Sequence, residues 1–143
     1  MPLRSHFGML SNCPRPRSSA RIPHPWRCAS NDRNLTDEQL KALAQNGGVA
    51  QVCLLDRYIN EDYKNASLTD AIEHIDHMVK VAGIDHVGIG SDFDGGGGII
   101  GCESDNDFIQ ITVKLIEKGY TEEDIAKIWG GNFLRVMKQV QTK

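Results

Sequence analysis

Asp92 and Asp94 close the run HVGIGSDFD (residues 86–94), and glycines 95–98 follow them directly. Paired carboxylates can move protons, hold an ammonium group or bind a cation, and bare glycine backbone lets a ligand come close. Acids at the mouth of a buried strand are what a catalytic or metal site would use. A strand carried through both acids would put them on one side of the chain. A turn at Phe93 would split them, leaving one to face the site and the other to support the loop. The competing use is structural, with both acids capping the loop's own N–H groups.

Other residues have weaker claims. Counted from Asp92, acids fall at positions 1 and 3, Gly97 at 6, Ile99 at 8 and Glu103 at 12, which overlaps a calcium-binding loop. Gly96 stands where an oxygen ligand belongs, and the residues before Asp92 are strand-like, so calcium is a minor alternative. His74 and His77 lie three apart on a helical pattern and could form a metal pair. No third ligand is near them in sequence, and helix packing explains them better. His86 opens its strand at the end away from the acids, which suits a structural role. Arg33, in NDRN, could bind a carboxylate through both guanidinium nitrogens.

The elements that must position these groups follow from periodicity and caps. Thr36 with Gln39 forms a capping box, Leu40, Leu43 and Ala44 follow at helical spacing, and Gly47-Gly48 stop the helix. VAQVCLL (49–55) reads as a buried strand, and a polar loop through Tyr58 and Asn65 follows it. Ala71, Ile72, Ile75, Met78, Val79 and Ala82 mark a helix over 68–82, which Gly83 ends. Residues 85–91 read as a second strand. Phe108, Ile109, Ile111, Thr112, Leu115 and Ile116 mark a helix that stops at Gly119. Thr121 opens a short helix to Trp129. Asn132 is expected to cap a last helix whose buried side is Phe133, Leu134, Val136, Met137 and Val140.

Strands alternating with helices indicate parallel βαβ units, hence an α/β fold. Two strands cannot close a barrel, and a lone parallel pair leaves edges and apolar faces uncovered. The pattern is that of part of a domain, with self-association expected of it alone.

Composition is uneven along the 143 residues. Residues 1–30 hold all five Pro and five Arg but no Asp, Glu or Lys, so the remainder carries all 19 acids against 11 bases. Such a head suits a disordered tail; its prolines would break the amphipathic helix of a transit peptide. It has no apolar core of a secretory signal, and no apolar run nears the roughly 18–20 residues of a membrane span. The overall net charge of −3 gives no reason to expect nucleic acid. Cys13, Cys28, Cys53 and Cys102 form no C-x-x-C, which points to thiols in a reducing, cytoplasmic setting.

Three segments in order, NDRNLTDEQLKALAQNGGVAQV, HIDHMVKVAGIDHVGIGSDFDGGGG and GGNFLRVMKQV, resemble the C-terminal part of the membrane dipeptidase (renal dipeptidase) family of zinc metallopeptidases. The resemblance covers residues 31–141. It implies a (β/α)8 TIM-type barrel, of which 31–143 would be the last two βα units and the closing helices. It also implies dipeptide hydrolysis with two zinc ions. Asp92 would then be the catalytic aspartate at the end of the last strand, and Arg33 the arginine that binds the substrate's carboxylate. The family's zinc ligands would lie upstream, so this chain is expected to bind no metal and to be inactive alone. It could instead be a non-catalytic module that completes a barrel with a separate N-terminal half.

The family's Ser-His-Ser-Ser sequence, expected about a dozen residues before Arg33, is absent here. Read one base out of frame, residues 6–28 can, with suitable synonymous codons, encode it, with its histidine 12 positions before Arg33. The expectation is therefore a head, residues 1–30, translated out of frame, with the frame restored near Cys28 to Asn31. The nucleotide sequence tests this directly.

Overall fold

The computed structural model describes residues 33–141. The head, with its expected disorder and altered frame, lies outside them. Helix α1 (Asp37–Gln45) begins at the capping box read from sequence: Thr36 N donates to Gln39 Oε1 at 2.9 Å and Gln39 N to Thr36 Oγ1 at 3.3 Å. Gly47 then turns the chain at φ 73°, a conformation that a residue with a β-carbon resists. Strand β1 is Ala50–Val52, shorter than the apolar run around it. What reads as a polar loop contains α2 (Asp56–Ile59) and a 3₁₀ turn at Tyr63–Asn65. Helix α3 spans Leu68–Ala82, as its periodicity predicts, with Ser67 and Asp70 as its capping box.

Strand β2 (Val87–Ile89) pairs with β1 in parallel, Ala50 facing Val87 and Val52 facing Ile89. The chain enters β2 from a 3₁₀ turn at Ile84–His86, so residues 85 and 86 are not strand, and a second 3₁₀ turn follows at Phe93–Gly95. The β1–α3–β2 segment is a βαβ unit. Helices α4 (Phe108–Glu117) and α5 (Glu122–Ala126) come next. A π-helical turn (Lys127–Gly131) leads from α5 without a break into α6 (Asn132–Gln141).

The core lies where α3 crosses the two strands: Val52, Leu54, Ile72, Ile75 and Val87 are all buried, with Leu115 of α4 against them. Full burial of an aliphatic side chain is worth about 1.5–3 kcal/mol, so this cluster supplies most of the cohesion. Asp76 ties α3 to the end of α4, accepting from Lys118 Nζ and Tyr120 Oη, each at 2.7 Å.

Two expectations for the last helix fail. Asn132 is not a cap: its backbone is helical and its side chain is buried, 3% exposed. Its Nδ2 donates to the carbonyls of Ile84 (2.7 Å) and Val87 (2.8 Å), where the chain enters β2. The π-turn joins α5 to α6, so no free helix start remains for it to cap. Of the expected buried face, Val136 is buried, Phe133 and Met137 half-buried, and Leu134 and Val140 exposed. On α4, Ile109 and Ile116 are each 60% exposed, with Val113 beside them. That apolar face has no cover among the described residues.

Replacing Asn132 by Leu strands two buried carbonyls while keeping the volume. Each loss is worth about 1–3 kcal/mol. Thermal or urea unfolding is expected to show destabilisation of about 2–4 kcal/mol.

Candidate active site

The hydrogen-bond ladder runs beyond both strands. Gly90 N donates to Val52 O at 2.9 Å and Leu54 N to Ser91 O at 3.0 Å. Cys53 and Asp92 therefore leave adjacent strands side by side at their carboxyl ends, where parallel α/β sheets place their ligands.

Asp92 is the one non-glycine residue with positive φ among those described, at φ 69° and ψ 25°. Such backbone costs about 1–2 kcal/mol and persists only where its surroundings enforce it. The glycine loop enforces it here. Gly95 N and Gly97 N both donate to Asp92 O, at 3.0 and 2.8 Å. A β-carbon on Gly97 would stand 2.7 Å from that same oxygen, and one on Gly95 would collide with Asp92 Oδ1. Gly97 must be glycine because the chain folds back over the Asp92 backbone, whereas at Gly95 a β-carbon would displace only the Asp92 carboxylate.

The turn at Phe93 separates the two acids. Phe93 packs inward on Phe108, with ring centroids 5.5 Å apart, and Phe108 meets Trp129 at 5.3 Å. Trp129 Nε1 donates to Thr112 Oγ1 at 2.9 Å, which closes the aromatic stack against α4. Asp94 is left exposed on the 3₁₀ turn. The loop after Asp92 is anchored from behind while its carboxylate faces out.

Arg33 reaches the same end of the fold. Its guanidinium lies over the ring of Tyr58, 5.7 Å from the centroid, and Asn34 Nδ2 donates to Tyr58 O at 2.9 Å. Its positive charge acts on the Cys53 thiol, as does the negative charge of Asp92. The structure thus gathers Arg33, Cys53 and Asp92 into one electrostatic neighbourhood. Sequence reasoning missed Cys53 and Tyr58. The capacity of Tyr58 to stack a cation was readable, but the place of Cys53 depends on strand register.

The Cys53 Sγ–H donates to Asp92 Oδ2 at 3.4 Å. Burial, and then the neighbouring carboxylate, push this thiol up to about 11, only partly offset by Arg33 and by a backbone hydrogen bond from Leu55. At neutral pH it is a protonated donor, neither a nucleophile nor a ready metal ligand.

His77 and His86 make contacts between elements. His77 Nε2 meets Asp37 Oδ1 at 2.8 Å and joins α3 to α1. His86 Nδ1 donates to Gly48 O at 2.8 Å, at the opposite end of the strands from Asp92. His74 is half-buried, and burial, with a smaller push from His77, lowers its pKa to about 4. The calcium pattern is not realised as a ligand ring. Glu103 N and Ser104 N instead donate to Asp107 Oδ2, each at 3.0 Å. No three His, Cys, Asp or Glu side chains gather as a metal-ligand set among the described residues.

An acid, an arginine and a glycine loop thus stand at the carboxyl end of a parallel βαβ unit. A profile of the membrane dipeptidase family (peptidase family M19) matches residues 21–143, and the chain belongs to that family. The match begins inside the acid-free head. The dipeptidase ataJ of Aspergillus terreus is 42% identical over 126 residues, 87% of this chain and 29% of its own length. An uncharacterized dipeptidase of Schizosaccharomyces pombe is 40% identical over 119 residues, 81% of this chain and 29% of its own. Among solved structures, the probable dipeptidase PvdM from Pseudomonas aeruginosa superposes with TM-score 0.74 at 29% identity, over 80% of this chain and 42% of that one. A metallo peptidase from Rhodobacter sphaeroides, liganded with a phosphinate mimic of the dipeptide L-Ala-D-Ala, gives 0.68 at 28% identity, over 74% and 31%. The chain thus spans under a third of the length of these curated relatives.

Two outcomes follow from this geometry. Gly97→Ala forces backbone apart and is expected to destabilise by about 1–3 kcal/mol in urea unfolding, whereas Gly95→Ala meets only the end of the Asp92 side chain and leaves stability nearly unchanged. For His74, the unfolded chain takes up a proton below about pH 6.5 while the folded chain stays neutral to about pH 4. The unfolded state then binds more protons, so stability falls as pH falls through that window, by up to about 3 kcal/mol. His74→Phe is expected to remove that part of the pH dependence of urea unfolding.

Proposed function

We propose that this chain supplies the substrate-holding side of a zinc-dependent dipeptide hydrolase, corresponding to the last two βα units of a (β/α)8 barrel and the helices that close it. The observation that carries the reading is the place of Asp92, beside Cys53 at the carboxyl ends of β1 and β2, with Arg33 near enough for its charge to act on the same thiol. A dipeptide is a short zwitterion. A guanidinium takes its terminal carboxylate through two parallel hydrogen bonds. An aspartate can hold its ammonium group or carry a proton to and from the cleaved amide.

The described side chains do not fit a metal. Asp92 has a protonated thiol as its neighbour, His77 is committed to Asp37, and His74 is half-buried. Zinc would be held by residues outside the described part, supplying a Lewis acid for the amide carbonyl. The chain alone is accordingly expected to be inactive. The role of Asp92 and Arg33 is to orient the substrate and manage its charges.

The lone strand pair and the uncovered face of α4 (Ile109, Val113, Ile116) support a companion reading, in which the chain completes a barrel with a separate N-terminal half. Exposed apolar area of this kind drives association.

The chain is purified alone and again with the upstream portion of a relative, and zinc content and dipeptide hydrolysis are measured. Turnover is expected only in the mixture. There, Asp92→Asn is expected to lower kcat by about 100-fold or more, and Arg33→Met to raise KM more than it lowers kcat. Stoichiometric zinc and turnover by the chain alone would overturn the proposal.

A further inference from the structure

We propose that Cys53 is a positioning residue, whose thiol fixes the direction of the Asp92 carboxylate for the reaction. This rests on the assignment of Asp92 above and extends it to the neighbouring residue on β1's side of the strand pair.

The geometry is specific. Cys53 sits one residue past β1, between two ladder contacts: Gly90 N to Val52 O on one side and Leu54 N to Ser91 O on the other. Its backbone cannot drift relative to Asp92. Oδ2 accepts the Sγ–H at 3.4 Å, and the carboxylate packs so near Gly95 that a β-carbon there would crowd it, most of all at Oδ1. Remove the thiol and Oδ2 loses its donor, leaving the carboxylate free to swing away from Gly95.

A thiol suits this task. It is a weak donor that leaves the full negative charge on the carboxylate, unlike a lysine or arginine at the same place. Burial and Asp92 itself keep it protonated far above neutral pH. It therefore neither competes as a nucleophile nor captures a metal. Arg33 remains the cation for the substrate's carboxylate.

The test has two arms. The first needs no turnover: alkylation of Cys53 by iodoacetamide is followed against pH in the full chain, after replacing the other three cysteines by Ser. Asp92→Asn is expected to move the alkylation profile to lower pH, because it removes a negative charge beside the thiolate. An unmoved profile would overturn the contact and with it the proposal.

The second arm uses the complemented enzyme. Cys53→Ala is expected to lower kcat by about tenfold with little change in KM. Cys53→Ser, which keeps a donor, is expected to restore turnover. Unchanged kcat in Cys53→Ala, or no rescue by Cys53→Ser, would overturn the positioning role. Full turnover in Asp92→Asn, with a moved alkylation profile, would instead overturn the assignment of Asp92, so the two failures are told apart.

Discussion

The parallel register of β1 against β2 is the constraint on which the rest depends. With Ala50 opposite Val87, the two strands begin and end level, so each end of the pair becomes a place with its own chemistry. A slip of one residue would turn every side chain to the other face. Val52 would leave the core, and Cys53 would no longer stand beside Asp92. The register is held by buried side chains of α3 and by polar contacts that no alternative pairing satisfies.

Those polar contacts are concentrated at one end. Where the strands begin, His86 meets Gly48 O, Arg135 donates to Gly47 O and Asp85 O, and Asn132 donates to Ile84 O and Val87 O. Each satisfies a carbonyl that the short strands leave unpaired, and a buried unpaired carbonyl is costly. Where the strands finish, the contacts differ in kind. There the chain holds a left-handed aspartate, a glycine loop folded onto it and a cation over an aromatic ring. One end is built to stay closed and the other to present charge. The stable end lets the strained end persist, because local strain survives only on a rigid base.

Much of this was legible in the sequence wherever local signals decide. Helices α1 and α3 were set by capping boxes and by apolar residues three and four apart, and the helical reading held there. Asp92 and Asp94 stood out together, as acids at a strand end just before four glycines, and only the family resemblance favoured Asp92. The failures share a cause. The strands were read long because an apolar run says nothing of where a 3₁₀ turn begins. Asn132 was read as a cap from its neighbours alone, yet its partners lie 45 and 48 residues away. Cys53 carried no signal at all, since its importance is created by a contact across 39 residues. Periodicity reports what one element buries. It does not report what two elements bring together.

The same logic explains how the proposed substrate-holding residues can stand together while the described residues hold no metal-ligand set. In a parallel α/β sheet each strand contributes its own residues at its carboxyl end, and a catalytic site is the sum of several such contributions. Two adjacent strands and the loops beyond them therefore hold a contiguous sector of the rim and nothing opposite it. On the proposed reading, that sector receives the substrate's two charges, and the bond to be cleaved faces the strands that this pair does not include. Binding and bond cleavage would then be divided between parts of the barrel that meet only when its sheet closes. The open strand edges and the bare face of α4 are where that closure would occur, so assembling the fold and completing the site would be one event.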